Sequence, residues 1–152
     1  VLVGATRNDE GRLSYGGQRL IPSPVALKFE RLQISDSVQQ AETFNGNIVL
    51  VSKATVDRIG INDPGFMHAM GDIDYGLRAS ASNIPVLVMP ATLGLCNNNP
   101  PTHYNKGSFR ERWRKIMSHR GLPPKSWWLL TRRHSGIWQP IHFLAPYRKL
   151  FF

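Results

Sequence analysis

Two carboxylates and one polar turn hold most of the chemistry legible in this chain. Asp72 and Asp74 lie in Gly71-Asp72-Ile73-Asp74-Tyr75-Gly76-Leu77-Arg78, where a helix is expected to begin. Acidic side chains suit the positive end of a helix dipole. Two positions apart, they cannot share a helix face. One can therefore point into a cleft while the other caps the helix or pairs with Arg78, four residues beyond Asp74. A carboxylate on a rigid helix end beside a cleft can take a proton from a hydroxyl. It can equally cap the helix, and the local sequence favours the cap. Asp74 reads mainly as structural, through Arg78, with a share in orienting the site. The turn Asn45-Gly46-Asn47 interrupts a strand-like apolar run, where glycine marks a bulge or a close backbone approach. Its amides can serve ligand hydroxyls or satisfy local backbone. His68, set among Phe66, Met67, Ala69 and Met70, is a further contact candidate, although a histidine in such a setting is more often structural. Cys96 has no charged neighbour to lower its pKa and reads as an inert thiol. His103, His119, His134 and His142 show no metal-ligand spacing.

These residues need elements to hold them. Val1 to Ala5 reads as a strand, and Arg12 to Tyr15 returns after a turn, ending at Gly16-Gly17. Pro22 and Pro24 break the chain. Ala26 to Ile34 reads as a strand, residues 35–40 as a polar loop, and Phe44 to Val51 as one strand carrying the Asn-Gly-Asn turn. Ser52 caps a helix from Lys53 to Ile59 that Gly60 stops. The helix from about Asp72 to Ala81 is expected to turn Ile73, Leu77 and Ala81 to the core. Pro85 to Met89 is a short buried strand, and Ala91 to Leu95 a separate successor.

Asn97-Asn98-Asn99-Pro100-Pro101 marks a change of composition. The 152 residues carry a net charge of +9. Residues 1–99 hold 8 Lys/Arg and 9 Asp/Glu, whereas residues 100–152 hold 11 Lys/Arg and a single acid, Glu111. The excess charge therefore belongs to the last third, and it points to an anionic partner. Helices are expected at residues 108–118 and from Pro123-Pro124 to about Arg133, with a kinked or split one beyond. At least half of the tryptophans there are expected to be packed away. No apolar run approaches the roughly 18 residues of a membrane span, and one cysteine excludes an internal disulfide.

Taken in order, Phe44-Asn45-Gly46-Asn47, the spaced Gly60, Asp63 and Phe66, and the run from Gly71 to Arg78 resemble the second half of a family 2 glycosyltransferase. Tyr15-Gly16-Gly17 and Arg132-Arg133-His134 extend the likeness over most of the chain. The resemblance implies the α/β class, as the C-terminal half of an A-type nucleotide-diphospho-sugar transferase. A mixed sheet with flanking helices would fill residues 1–99, and a basic, Trp-rich helical tail residues 100–152. It implies an inverting enzyme that passes a sugar from a nucleotide-diphospho-sugar to a glycan or lipid-linked acceptor. Asp72 takes the position of the catalytic base. Asn45, Gly46, Asn47, His68, Asp74 and Arg78 fall on the substrate side.

Three features depart from the family pattern. No Asp-x-Asp metal motif precedes residue 72, Gly71 replaces a frequent Glu, and Leu95-Cys96-Asn97 stands where many relatives carry a metal-binding His. The chain thus resembles half an enzyme. The nucleotide and a divalent metal (Mg or Mn) would be held chiefly by the other half, with no metal ligand assigned here. Alone, the chain is expected to be inactive and to self-associate through an open sheet edge. The tail's interleaved cations and aromatic rings suit an anionic membrane surface, which implies a cytoplasmic protein peripheral to the inner face of the membrane. A non-catalytic module for nucleic acid is the alternative, ranked lower.

Overall fold

Leu2–Arg7, the first strand, is the strand on which the larger sheet is assembled. The computed structural model describes residues 1–66, 70–98, 107–118 and 121–151. In chain order the strands are β1 (Leu2–Arg7), β2 (Leu13–Tyr15), β3 (Gly17–Ile21), β4 (Lys28–Arg31), β5 (Gln39–Ala41), β6 (Thr43–Phe44), β7 (Ile48–Leu50) and β8 (Val86–Leu95). The helices are α1 (Lys53–Ile59), α2 (Gly71–Ala81), α3 (Phe109–Met117), α4 (Pro124–His134) and α5 (Gln139–Leu144). The result is a mixed α/β fold that divides into two units. One comprises residues 1–21, 29–62 and 72–99; the other comprises 22–28, 63–71 and 100–152. Segments 22–28 and 63–71 thus belong with the basic tail.

In the first unit, β1 pairs in parallel with β8 and antiparallel with β7 and β2. β7 takes the first half of β1, Leu2 to Gly4, and β2 takes Thr6 and Arg7. β5 adds antiparallel to β8, and a second small sheet runs β4-β3-β6. Val3, Ala41, Phe44, Val86 and Val88 from these strands bury against Tyr75 and Ala79 of α2.

The expected single strand from Phe44 to Val51 is two strands in two sheets. Thr43–Phe44 pairs with β3, and Ile48–Leu50 with β1. The Asn-Gly-Asn turn is the crossing between sheets, so the chain changes partners there instead of bulging. Residues 85–95 depart the other way, since β8 is one strand where two were expected. Opposite the step from Val3 to Ala5, β8 advances from Val88 to Thr92, and the irregularity holds Pro90 and Ala91, the latter at φ 60°. A bulge is where a strand tolerates proline.

Two strands went unread. Gly17–Ile21 continues past the glycine pair, and Gln39–Ala41 lies partly within the expected polar loop. β5 is an edge strand, held by backbone pairing that leaves its side-chain pattern little constrained, whereas β3 is the middle strand of its sheet and begins on the second glycine of a pair that reads as a strand end. The strand expected over residues 26–34 contracts to Lys28–Arg31.

α1 ends as expected. The Ser52 hydroxyl accepts from Thr55 N–H, and Gly60 closes the helix. α2 ends in a Schellman arrangement, with Asn83 at φ 56° and Ile84 N–H donating to the Ala79 carbonyl at 2.9 Å. The buried face of α2 matches expectation at Leu77 and departs from it at Ile73 and Ala81. Asp74, Tyr75, Gly76, Leu77 and Ala79 are buried, while Ala81 is exposed and Ile73 only partly covered. The helix is pressed against β6 along Gly76, where an added Cβ would lie 2.6 Å from Thr43 Cα.

In the second unit Ile116 of α3, Leu130 of α4 and Leu150 are buried. Ser108 and Glu111 form a reciprocal capping box at the start of α3, which holds the Glu111 carboxyl below its ordinary pKa. Trp127 Nε1 donates to the carbonyls of His142 and Phe143, at 3.2 and 3.1 Å, joining α4 to α5. Of the four tryptophans only Trp127 is buried; Trp113, Trp128 and Trp138 are exposed, contrary to the expectation that at least half would be packed.

Gly76→Ala raises helix propensity by about 1 kcal/mol, yet is expected to destabilise the first unit by about 1–3 kcal/mol, the usual cost of overpacking. Denaturant unfolding of the two proteins checks the sign. In the second unit, Tyr147 OH donates to the Leu122 carbonyl at 3.0 Å, and burial pushes the phenol up to about 12 from 10.0. A raised pKa contributes stability that is complete below the unfolded value and lost as pH climbs through the folded one. Unfolding midpoints are therefore expected to fall between pH 10 and about 12. Tyr147→Phe is expected to flatten that component of the fall when the two proteins are compared across the same range.

Candidate functional site

The crossing turn and the start of α2 meet at one carboxylate. Asp72 Oδ2 accepts from the Gly46 backbone N–H at 2.7 Å, and Oδ1 accepts from Ile73 N–H at 2.9 Å. Two loci 26 positions apart are thereby joined, because β6 delivers the turn beside the helix that it packs against. Thr43 Oγ1 reinforces the junction by donating to the Ile73 carbonyl at 2.8 Å.

Asp72 lies on the wall of a cavity of about 360 Å³. Phe44, Val49, Val51, Val56, Ile61 and Tyr75 supply its apolar surface, and Gly46, Asn62 and Asp72 its polar points. Pockets for small ligands commonly combine such walls with a few fixed polar groups and enclose about 300–1,000 Å³. Each Asp72 oxygen has one backbone donor that fixes its direction. A carboxylate oxygen can accept more than one hydrogen bond, so the group can receive a further donor from the cavity.

Asp74 behaves differently from its neighbour. It is 0% exposed and its Oδ2 accepts from Arg78 Nε at 2.8 Å. The same guanidinium donates to the carbonyls of Ile59 and, at 3.0 Å, Ile61, and it sits 4.9 Å from the Tyr75 ring centroid. Asp74 and Arg78 are absent from the cavity lining. They fasten α2 to the end of α1 and to the segment beyond it, and so hold Ile61 and Asn62 in place.

The amides flanking Gly46 have partners within the fold. Asn45 Oδ1 accepts from Gln18 Nε2 at 2.8 Å, and Asn47 Nδ2 donates to Cys96 Sγ at 3.1 Å. Among the three turn residues, the cavity is lined by Gly46. His68 lies outside the described residues. Asn62, Tyr75 and Gln18 were missed in the sequence. Gln18 stood in an unread strand; Tyr75, inside the acidic motif, carried a readable signal. No protein-family model, curated protein or solved structure matches the chain.

Breaking a buried ion pair from one side typically costs about 3–5 kcal/mol, because a charge is left unpaired. Asp74→Ala is expected to destabilise the first unit on that scale, whereas Asp72→Asn is expected to shift stability by less than about 1.5 kcal/mol, the scale of a single hydrogen bond. Urea midpoints of the two variants against the parent separate the roles.

Proposed function

We propose that this chain is the acceptor-side part of an inverting, family 2-like glycosyltransferase. It would help pass a sugar from a nucleotide-diphospho-sugar to a glycan or lipid-linked acceptor. The observation that carries this reading is the division between neighbouring acids. Asp74 is committed to Arg78 in the interior, while Asp72 is oriented by Gly46 and Ile73 on a cavity wall. The ordered motif around them supplies the reaction class.

In this reading the acceptor hydroxyl enters the cavity and donates to Asp72. As its oxygen bonds to the anomeric carbon, the proton passes to the carboxylate and the bond from that carbon to the nucleotide diphosphate breaks on the opposite side. The Gly46 and Ile73 N–H groups keep the base aimed, so that little reorganisation is needed at the moment of attack. Val49, Val51, Val56 and Ile61, the more accessible of the apolar walls, offer surface to the C–H face of a sugar ring. Among the described residues, no group of three His, Cys, Asp or Glu side chains could hold a metal ion. The Mg or Mn that the resemblance implies, and the nucleotide, are assigned chiefly to residues outside this chain.

In the intact enzyme, Asp72→Asn is expected to lower kcat by about 10²–10⁴-fold, the usual worth of a general base. Donor affinity by calorimetry should stay near that of the parent. Near-normal turnover would remove Asp72 from the base role.

A further inference from the structure

The helical unit displays two apolar stripes. Ile137, Ile141 and Leu144 recur at the spacing of one helix face with Trp138 beside them, the first of these and Trp138 lying in the 3-10 turn Gly136–Trp138 that leads into α5, and all are exposed, Ile137 to 88% and Leu144 to 62%. The opposite side of α5 is turned inward. His142 is buried there, and the carbonyls of His142 and Phe143 accept from Trp127. On α3, Phe109, Trp113 and Met117 form a second exposed stripe while Ile116 faces the interior. Phe109 stacks on Trp113 at 6.5 Å between centroids and lies 5.9 Å from Phe151, itself 70% exposed. Arg110, Arg114, Lys125, Arg132 and Arg148 are exposed in the same unit.

We propose that this unit docks on the surface of a bilayer containing anionic lipid, its stripes in the interfacial layer and its cations against the headgroups. Charge complementarity selects this occupant. Residues 100–152 carry 11 Lys/Arg and one acid, and that acid, Glu111, is engaged by Ser108. A second copy would bring the same positive charge to the contact. Single-stranded nucleic acid would use the rings for stacking, but gains little from Ile137, Ile141, Leu144 and Met117, which suit acyl chains. Exposed Trp with nearby Arg and Lys is the composition of a membrane–water interface. Among the described residues no helix is long and apolar enough to cross a membrane, so the unit would lie on the surface. The proposal is independent of sugar transfer, and activity is not its readout.

The test is co-sedimentation of the whole chain with phosphatidylcholine vesicles, with and without phosphatidylglycerol, while tryptophan emission is followed. Binding is expected to need the anionic lipid, to weaken as salt rises, and to shift the emission to the blue. Ile137→Ser/Ile141→Ser/Leu144→Ser is expected to lower binding on the order of 10-fold or more. Arg110→Gln/Arg114→Gln, a surface pair that leaves the apolar stripes intact, is expected to lower it about five-fold per cation removed. Circular dichroism confirms that each variant is folded. Equal binding to both vesicle types, or no loss in either folded variant, overturns the proposal. So does tighter binding to an oligonucleotide than to anionic vesicles, or a dimer that the serine variant disperses.

Discussion

Asp74 and Arg78 form the interaction on which the proposed site depends. Their pairing is internal to α2, one turn apart, yet its reach is long. Through Arg78 the helix is bonded to the carbonyls of Ile59 and Ile61, just where α1 has ended and its last carbonyls lack helical partners. Tyr75 OH donates to the intervening Gly60 carbonyl at 3.0 Å. Three successive carbonyls are thus satisfied by one face of α2. A buried ion pair gains little net stability over apolar packing. Its value here is geometric, since it fixes the segment that gives the cavity Ile61 and Asn62.

That arrangement explains how two acids in one tripeptide can have different fates. The helix turns by about 100° per residue, so placing Asp74 inward carries Asp72 to another side, toward the turn that crosses between sheets. Gly46 is suited to that crossing. Its backbone reaches the carboxylate, and a Cβ there would come within 3.2 Å of Asp72 Cβ. The contact between a backbone N–H and a carboxylate oxygen is a charge-assisted bond, stronger and more directional than a neutral one. It gives the proposed base a fixed aim without occupying the side chains beside it.

The helical unit meets a different constraint. Its helices are short, so each can turn only a narrow stripe inward. Ile116, Trp127, Leu130 and Leu150 are its buried apolar side chains, and Trp127 serves a second purpose by holding two carbonyls of α5. The opposite stripes of α3 and α5 are also apolar, which an isolated water-facing helix would not need. Surplus apolar surface beside a dense positive charge is what distinguishes this unit from an ordinary solvated helical cluster.

Local signals were legible wherever a single element decided the outcome. Ser52 and Gly60 bounded α1, Ser108 opened α3, Pro124 opened α4, and Asp74 with Arg78 announced its own pairing through their spacing. Asp72 and the Asn45-Gly46-Asn47 turn could be singled out as chemistry-bearing residue types. The sequence did not reveal that the turn passes between two sheets, that Pro90 sits in a bulge of one long strand, or that Gln39–Ala41 pairs as a strand. Each of these depends on a partner distant in the chain, and backbone pairing leaves little trace in a short edge strand. The buried face of α2 escaped for a related reason. Spacing by four found Leu77 but also selected Ile73 and Ala81, whereas close approach to Thr43 at Gly76 sets the helix so that Tyr75 and Ala79 enter the core. Residue type and local spacing thus determined which groups could act, while strand pairing and helix rotation decided which of them share a cavity.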